Sequence, residues 1–350
     1  VYYRDDSMSS WSPFDTNLPN VSVKDLEINL EDAKLIAATY GRGVWQTDIP
    51  VQLPTDDIKF VSIDNPGINI NCGASVIPQI QVKNNGANAV SSVNVNYTID
   101  GTPYNYVWNG TPIASSATQA IVLPSVSLTR GVHTLNVTST ITNDAYSDNN
   151  SGSSSFYIND AGTVGVVNPF TNTTDALISY NEGSSGSQWV RGTSTRGLGG
   201  SMGTGGNTVY ATNLIGNYPD MVKSYLVSQC YNLSNVVNPQ ISFAMKFDLE
   251  QNWDVAYVEY STNFGATWSV LGTMGATWYN SNRTQATAGN DCYNCPGAQW
   301  TGTNTTLTTY SYPLNALNAE TNIIFRIVFH SDESANQLGV NIDDFLINGT

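Results

Sequence analysis

Residues 241–249 read Ile-Ser-Phe-Ala-Met-Lys-Phe-Asp-Leu, so that Ile241, Phe243, Met245, Phe247 and Leu249 alternate with Ser242, Ala244, Lys246 and Asp248. Successive side chains of a strand point to opposite faces, and a period of two therefore predicts a half-buried β-strand. The same alternation returns at Val93, Val95, Tyr97 and Ile99, interleaved with Asn94, Asn96 and Thr98. Asp100-Gly101 follows, a pair that accepts positive φ and suits a tight hairpin. Phe325, Ile327 and Phe329 alternate less cleanly because Ile324 and Val328 are also apolar, the pattern of a strand covered on both faces. Helical periodicity is nearly absent, and the fold class read from these runs is all-β.

Composition agrees and narrows the function. The 350 residues carry 13 Lys and Arg against 28 Asp and Glu, a net charge of −15, which argues against a polyanion-binding surface and hence against nucleic acid. Only 12% of residues are charged, against a typical ~25%, and Gly, Asn, Ser, Thr and Tyr fill much of the remainder, as short strands and many turns require. No apolar run reaches the ~18 residues of a membrane span, and no signal or targeting segment is visible. A chain starting at Val1 is expected to be a mature product or a fragment of a longer parent.

Two composition breaks predict three units, 1–50, 51–160 and 161–350. The first break is Ile49 to Pro54, where Pro50 and Pro54 bracket a short apolar run; the second is Asp144 to Asp160, dense in Asn, Asp, Ser and Gly.

In the first unit, Asp6, Ser10 and Trp11 precede two strand-like runs, Val21 to Asn29 and Leu35 to Trp45, the second containing Thr-Tyr-Gly-Arg-Gly-Val-Trp at 39–45. This layout resembles the last blade of an Asp-box, sortilin-like β-propeller, with Arg4 and Met8 departing from the motif. The resemblance implies that further blades lie upstream, because a lone sheet of this size cannot bury both faces. Arg42 is read as a structural strand arginine in preference to an anion-binding one.

The middle unit places Val82-Lys83-Asn84-Asn85-Gly86, Tyr97 to Gly101, Gly131-Val132-His133-Thr134-Leu135 and Asp148-Asn149-Asn150 in order. These landmarks resemble the CARDB group of Ig-like modules and imply a seven-strand sandwich. His133 is read as structural, and Cys72, without a sequence-near partner, as buried and inert.

The C-terminal unit carries Asp254 to Tyr260, Ser261 to Trp268, Phe325-Arg326 and Gly339 to Asp344 (Gly-Val-Asn-Ile-Asp-Asp). In this order they resemble the MAM-like or cleaved-adhesin-like jelly rolls of secreted Bacteroidota proteins; Asn263 departs where an Asp-box carries Asp. The resemblance implies a structural Ca2+ ion, for which Glu182, Asp254, Asp343 and Asp344 are the candidate ligands, hard oxygens being the right chemistry. Cys292-x-x-Cys295 lacks the second half of a zinc site and is read as a short-loop disulfide, with pairing of Cys230 to one of the two as the competing reading. Gly199-Gly200-Ser201-Met202-Gly203 matches a nucleophile-elbow pattern without its flanking strand and helix, and is read as chance. N-x-S/T triplets, as at Asn96, Asn136 and Asn304, are read as compositional.

With two histidines and no recognisable catalytic constellation, the chain is expected to be non-enzymatic. The expected function is secreted or cell-surface adhesion or extracellular assembly, through carbohydrate, a protein surface or copies of itself. Trp253, Trp278 and Trp300 are the candidate ligand-binding side chains, with core filling, the commoner role of aromatics in β-rich domains, as the weightier reading for each. The resemblances imply export by type IX secretion machinery. The rival expectation is a set of accessory binding modules for a secreted hydrolase whose catalytic domain lies outside this chain; a third is a carbohydrate-binding jelly roll.

Overall fold

The computed structural model describes residues 1–4, 9–29, 34–49, 53–67, 69–183, 188–195, 197–199, 202–204, 206–284 and 292–349. Asp6 and Met8 of the Asp-box, Pro50 of the first break, and Gly200 and Ser201 of the elbow-like stretch lie outside these residues. The described strands run from 2 to 12 residues, and the protein is all-β. The chain divides into two units, Val1–Thr55 and Asp56–Thr350.

The first unit holds an antiparallel three-stranded sheet, Val23–Asn29, Lys34–Thr39 and Gly43–Asp48, and a two-residue pairing of Tyr2–Tyr3 with Ser12–Pro13. The expected continuous run from Leu35 to Trp45 is corrected: the chain reverses at Tyr40 to Arg42. Gly41 (φ 74°) and Gly43 (φ 78°) supply the left-handed backbone that a side chain opposes. The Thr39 hydroxyl donates to the Gly43 carbonyl at 2.6 Å and the Trp45 indole N–H to the Arg42 carbonyl at 2.9 Å, closing the turn. Arg42 is therefore an exposed turn residue, not a strand residue. Among the described residues of this unit only Ala37 is buried, while Leu26, Ile28, Val44 and Trp45 are exposed.

The second unit contains two sandwiches. In the first, a five-stranded sheet runs in the order Thr102–Ile113, Val90–Ile99, Gly131–Thr140, Ser151–Asn159, Ile70–Cys72. It faces a three-stranded sheet of Thr118–Val122, Gln79–Asn84 and Ile58–Asn65, and the alternating residues Val93, Val95, Tyr97 and Ile99 fill the space between with Ile80, Val82, Leu135 and Phe156. Asp100 (φ 50°) and Gly101 (φ 83°) make the predicted hairpin. His133 is structural: its ring nitrogens lie 2.6 Å from an Asp100 carboxylate oxygen and 2.8 Å from the Thr129 carbonyl, tying that hairpin to the next strand.

The second sandwich packs a sheet of Ile178–Asn181, Lys223–Tyr231, Ile323–His330, Val255–Ser261 and Ser269–Val270 on one of Val190–Thr193, Thr208–Ala211, Gly339–Asn348, Gln240–Asp248 and Thr303–Pro313. The opening stretch forms Gln240–Asp248, paired on both sides, and its inward residues Ile241, Phe243, Met245 and Phe247 are fully buried. Phe243 sits 5.7 Å from the rings of both Trp278 and Trp300.

Contacts join the two sandwiches on either side of residue 160. Cys72 is corrected from an inert thiol: it forms a disulfide with Cys230, across the two sandwiches, which also removes Cys230 as a partner for Cys292 or Cys295. Ile70 is buried within the core of the second sandwich and its N–H donates to the Phe264 carbonyl at 2.7 Å. The Asn159 amide donates to the Ser228 carbonyl at 2.8 Å, and the Arg130 guanidinium clasps the Asp160 carboxylate at 2.6 Å while donating to the Ala176 carbonyl.

Candidate functional site

Strand ends carry the chemistry of a sandwich, because the loops there are free of the ladder while the sheets hold them in place. At one end of the C-terminal sandwich the turn 249–254, the turn 330–336, the segment 217–223 and the Cys292–Cys295 loop converge. The turn 249–254 closes when the N–H groups of Trp253 and Asp254 donate to the Glu250 carbonyl, with Asn252 at φ 70°. The Thr301 hydroxyl donates to the carbonyls of Glu250 and Asp254.

Glu250, Asp254 and Asp332 each offer a carboxylate oxygen, all within 4.8 Å of one another. Asp254, fully buried, accepts from the Asp332 N–H at 2.8 Å and from the Tyr218 hydroxyl, which in turn accepts the Glu250 N–H at 3.2 Å. Glu250 Oε2 is buried without a hydrogen-bond partner. Burial, with the charges of Asp332 and Glu250, pushes Asp254 up to about 6 despite those hydrogen bonds; burial, with Asp332 and Asp220, also raises Glu250. A divalent cation is the group that relieves three such carboxylates, and this donor set of hard oxygens fits one.

Beside the acids lies a cleft of about 210 Å³ lined by Glu182, Lys223, Tyr293, Asn294, His330 and Asp332, among others. Tyr293 of its lining is 38% exposed and stands beside Trp253, 40% exposed, with ring centroids 6.4 Å apart. The Cys292–Cys295 disulfide closes the loop bearing Tyr293 and Asn294, and the Tyr293 N–H docks it on the Asn252 carbonyl at 3.0 Å. Asn294 Nδ2 is buried without a partner. His330 is pushed down to about 4 by burial and by Lys223, and so stays neutral in the cleft at pH 7.

The four acids expected to share one ion do not come together. Asp254 belongs to the cluster just described. Glu182 is occupied by the Tyr225 hydroxyl and by Lys223 at 3.0 Å, which hold its carboxyl below the ordinary range. Asp343 and Asp344 sit on a bulge of Gly339–Asn348, where one extra residue between the partners of Ser242 and Ala244 lets Ile342 and Phe345 both face the core. Asp344 accepts from Thr204 N–H and hydroxyl; Asp343 is fully buried, its Oδ2 without a partner, and burial with the Asp344 charge raises it to about 7. Trp278 and Trp300 are corrected as ligand platforms: they are 2% and 0% exposed, each with its indole N–H bonded to a carbonyl, and only Trp253 of the three is open to solvent.

Glu250, Asp332 and Tyr293 escaped the sequence reading. Glu250 stands four residues before Asp254 in one turn, and Ser331-Asp332 ends a strongly apolar strand, but only the fold places them together.

No family model matches the chain, and no curated protein matches it. Among solved structures it is similar to the CARDB domain of the PF1109 protein from Pyrococcus furiosus, in complex with di-metal ions (18% identity, TM-score 0.26, covering 31% of this chain and 97% of that one). It is similar also to the K1 cleaved adhesin domain of Lys-gingipain from Porphyromonas gingivalis W83 (12%, TM-score 0.31, 54% and 99%). A third is TmCBM61 in complex with β-1,4-galactotriose (12%, TM-score 0.28, 49% and 87%). At such identities and scores, what those proteins bind carries no inference to this chain. No described helix is long and apolar enough to cross a membrane.

Proposed function

We propose that this chain is a non-catalytic binding module of an extracellular adhesion or assembly protein, engaging carbohydrate or a protein surface through the loop end of its C-terminal sandwich. The observation that carries the reading is the joining, at one loop end, of the exposed Trp253–Tyr293 pair with a cleft of converging polar groups. Aromatic faces supply contact area at low side-chain entropy cost, and the buried amide of Asn294 offers a donor for orientation. A Ca2+ ion held by Glu250, Asp254 and Asp332 is the structural partner of this site, fixing the turns beside that pair. Two disulfides support an extracellular setting, where such bonds persist. Export by type IX machinery and a Bacteroidota source belong to the same proposal and rest on the motif resemblances alone.

Glycan and cell-surface extracts titrated against the wild-type chain, Trp253→Ala and Tyr293→Ala test it. Each variant is expected to lose about fivefold or more in affinity, as removal of an aromatic anchor costs more than about 1 kcal/mol, with unfolding temperature unchanged. Binding unaffected by both substitutions overturns the site.

The accessory-module reading is favoured by one feature of the first unit. A three-stranded sheet with Ile28, Val44 and Trp45 exposed and one buried residue leaves apolar surface for another sheet to cover. A propeller blade of a longer parent, with any catalysis outside this chain, accounts for it.

A further inference from the structure

Two acids meet at one end of the first sandwich. Asp57 immediately precedes the strand Ile58–Asn65 and is fully buried, while Asp144 lies half-buried in the turn between Gly131–Thr140 and Ser151–Asn159. The backbone holds the two segments together: the Ala145 N–H donates to the Asp56 carbonyl at 3.0 Å, and the Asn85 N–H to the Asp57 carbonyl at 2.9 Å. Burial, and with it the neighbouring Asp57 carboxylate, raise Asp144 above its ordinary value against the hydrogen bonds it accepts from Asn150 and the Tyr146 N–H. Among the described residues no Lys, Arg or His forms an ion pair with either acid.

The amides beside these acids use their nitrogens and not their oxygens. Asn149 Nδ2 lies 3.3 Å from both carboxylate oxygens of Asp57, and Asn150 Nδ2 donates to Asp144 at 2.9 Å, so both side chains end at the carboxylates. The Oδ1 atom of each is buried without a hydrogen-bond partner, and Asn150 is only 1% exposed. A buried oxygen without a partner has lost its water and gained nothing in return. A proton shared between Asp57 and Asp144 relieves the two acids and leaves both amide oxygens unpaired. A hard cation satisfies carboxylate and amide oxygens together.

We propose that Asp57, Asp144, Asn149 and Asn150 form a Ca2+ site, separate from the carboxylates of the C-terminal sandwich. Ca2+ takes about six to eight oxygen ligands in flexible geometry and accepts carboxylates, amide carbonyls and water side by side. The two carboxylates balance its charge. A half-turn about the last side-chain bond exchanges nitrogen for oxygen in Asn149 and Asn150, so both amides can face an ion held between the acids. The bound ion fastens the turn 144–150 to the chain just ahead of Ile58–Asn65, tying the two sheets of this sandwich at one end.

Counting Ca2+ on the full chain by native mass spectrometry tests the site. Asp144→Asn is expected to bind one ion fewer than the wild type, with an unchanged circular dichroism spectrum. Asp254→Asn is expected to lose a different ion, so that the two substitutions together remove two. Hydrogen exchange of the wild type gives a reading that needs no variant: amides of residues 144–150 are expected to slow about tenfold once Ca2+ stands near ten times its Kd. A folded Asp144→Asn chain that keeps the full count of ions overturns the site, as does wild-type exchange at 144–150 unchanged in about 10 mM Ca2+. If only Asp254→Asn keeps the full count, the ion at the loop end of the C-terminal sandwich is refuted and this one is upheld.

Discussion

Asp254 and Asp343 are carboxyls whose folded-state values, about 6 and about 7, stand above the ordinary 3.8 because burial penalises their charge. The folded chain then binds more protons than the unfolded one between pH 4 and 7. Stability from these groups is fully present below the unfolded value and is lost as pH rises through the folded ones. The unfolding temperature in chelator is therefore expected to fall from pH 4 to pH 7. Added Ca2+ is expected to cancel most of the part due to Asp254, since a bound cation favours its ionised form, and Asp343→Asn to remove the part due to Asp343. A flat profile in chelator, or one indifferent to Ca2+, counts against the cation site. Among single residues the sequence identified Asp254 and Trp253 for the loop end. It left Trp278 and Trp300 as ligand candidates beside the core reading that the fold bears out, because aromatic type is the same for a ring in the core and a ring on the rim; only burial separates them.

Elements were legible where one face is buried and the other wet. The stretch 241–249 announced its strand because every second residue had to be apolar, and Asp100-Gly101 announced its hairpin because few other pairs accept that backbone. Leu35 to Trp45 misled, since both arms of a hairpin are apolar and the reversal is written only in Gly41 and Gly43. The bulge at Asp343 and Asp344 was unreadable for the opposite reason: an added residue breaks the very alternation by which a strand is recognised. Around Gln240–Asp248, Trp300 contacts the rings of Phe243, Trp278, Tyr279 and Tyr310, with centroids 4.5 to 5.7 Å apart. Trp300→Ala is expected to cost about 3–5 kcal/mol in denaturant unfolding, through lost burial and the cavity left behind. The Trp253 variants are expected to cost less than about 1 kcal/mol, as exposed positions do. If Trp300→Ala unfolds at the wild-type denaturant concentration, the ring is not in the core.

For the whole molecule, the sequence marked the change of composition near residue 160 but could not show that a disulfide joins the sandwiches on either side of it, because Cys72 and Cys230 are 158 residues apart. Cys72→Ser with Cys230→Ser is expected to lower stability by about 2–5 kcal/mol, chiefly by freeing that loop in the unfolded state. Unfolding indifferent to the pair would mean that the thiols do not join. The bond also sets how the body carries load. Tension applied between residue 56 and residue 349 runs along the chain to Cys72, crosses the sulfurs to Cys230 and continues, so residues 73–229 lie outside the force path. Such tension draws out only the stretches on either side, and at ~3.5 Å per residue the bypassed chain withholds roughly 550 Å of slack. The disulfide thus roughly halves the length that the two sandwiches can release under strain.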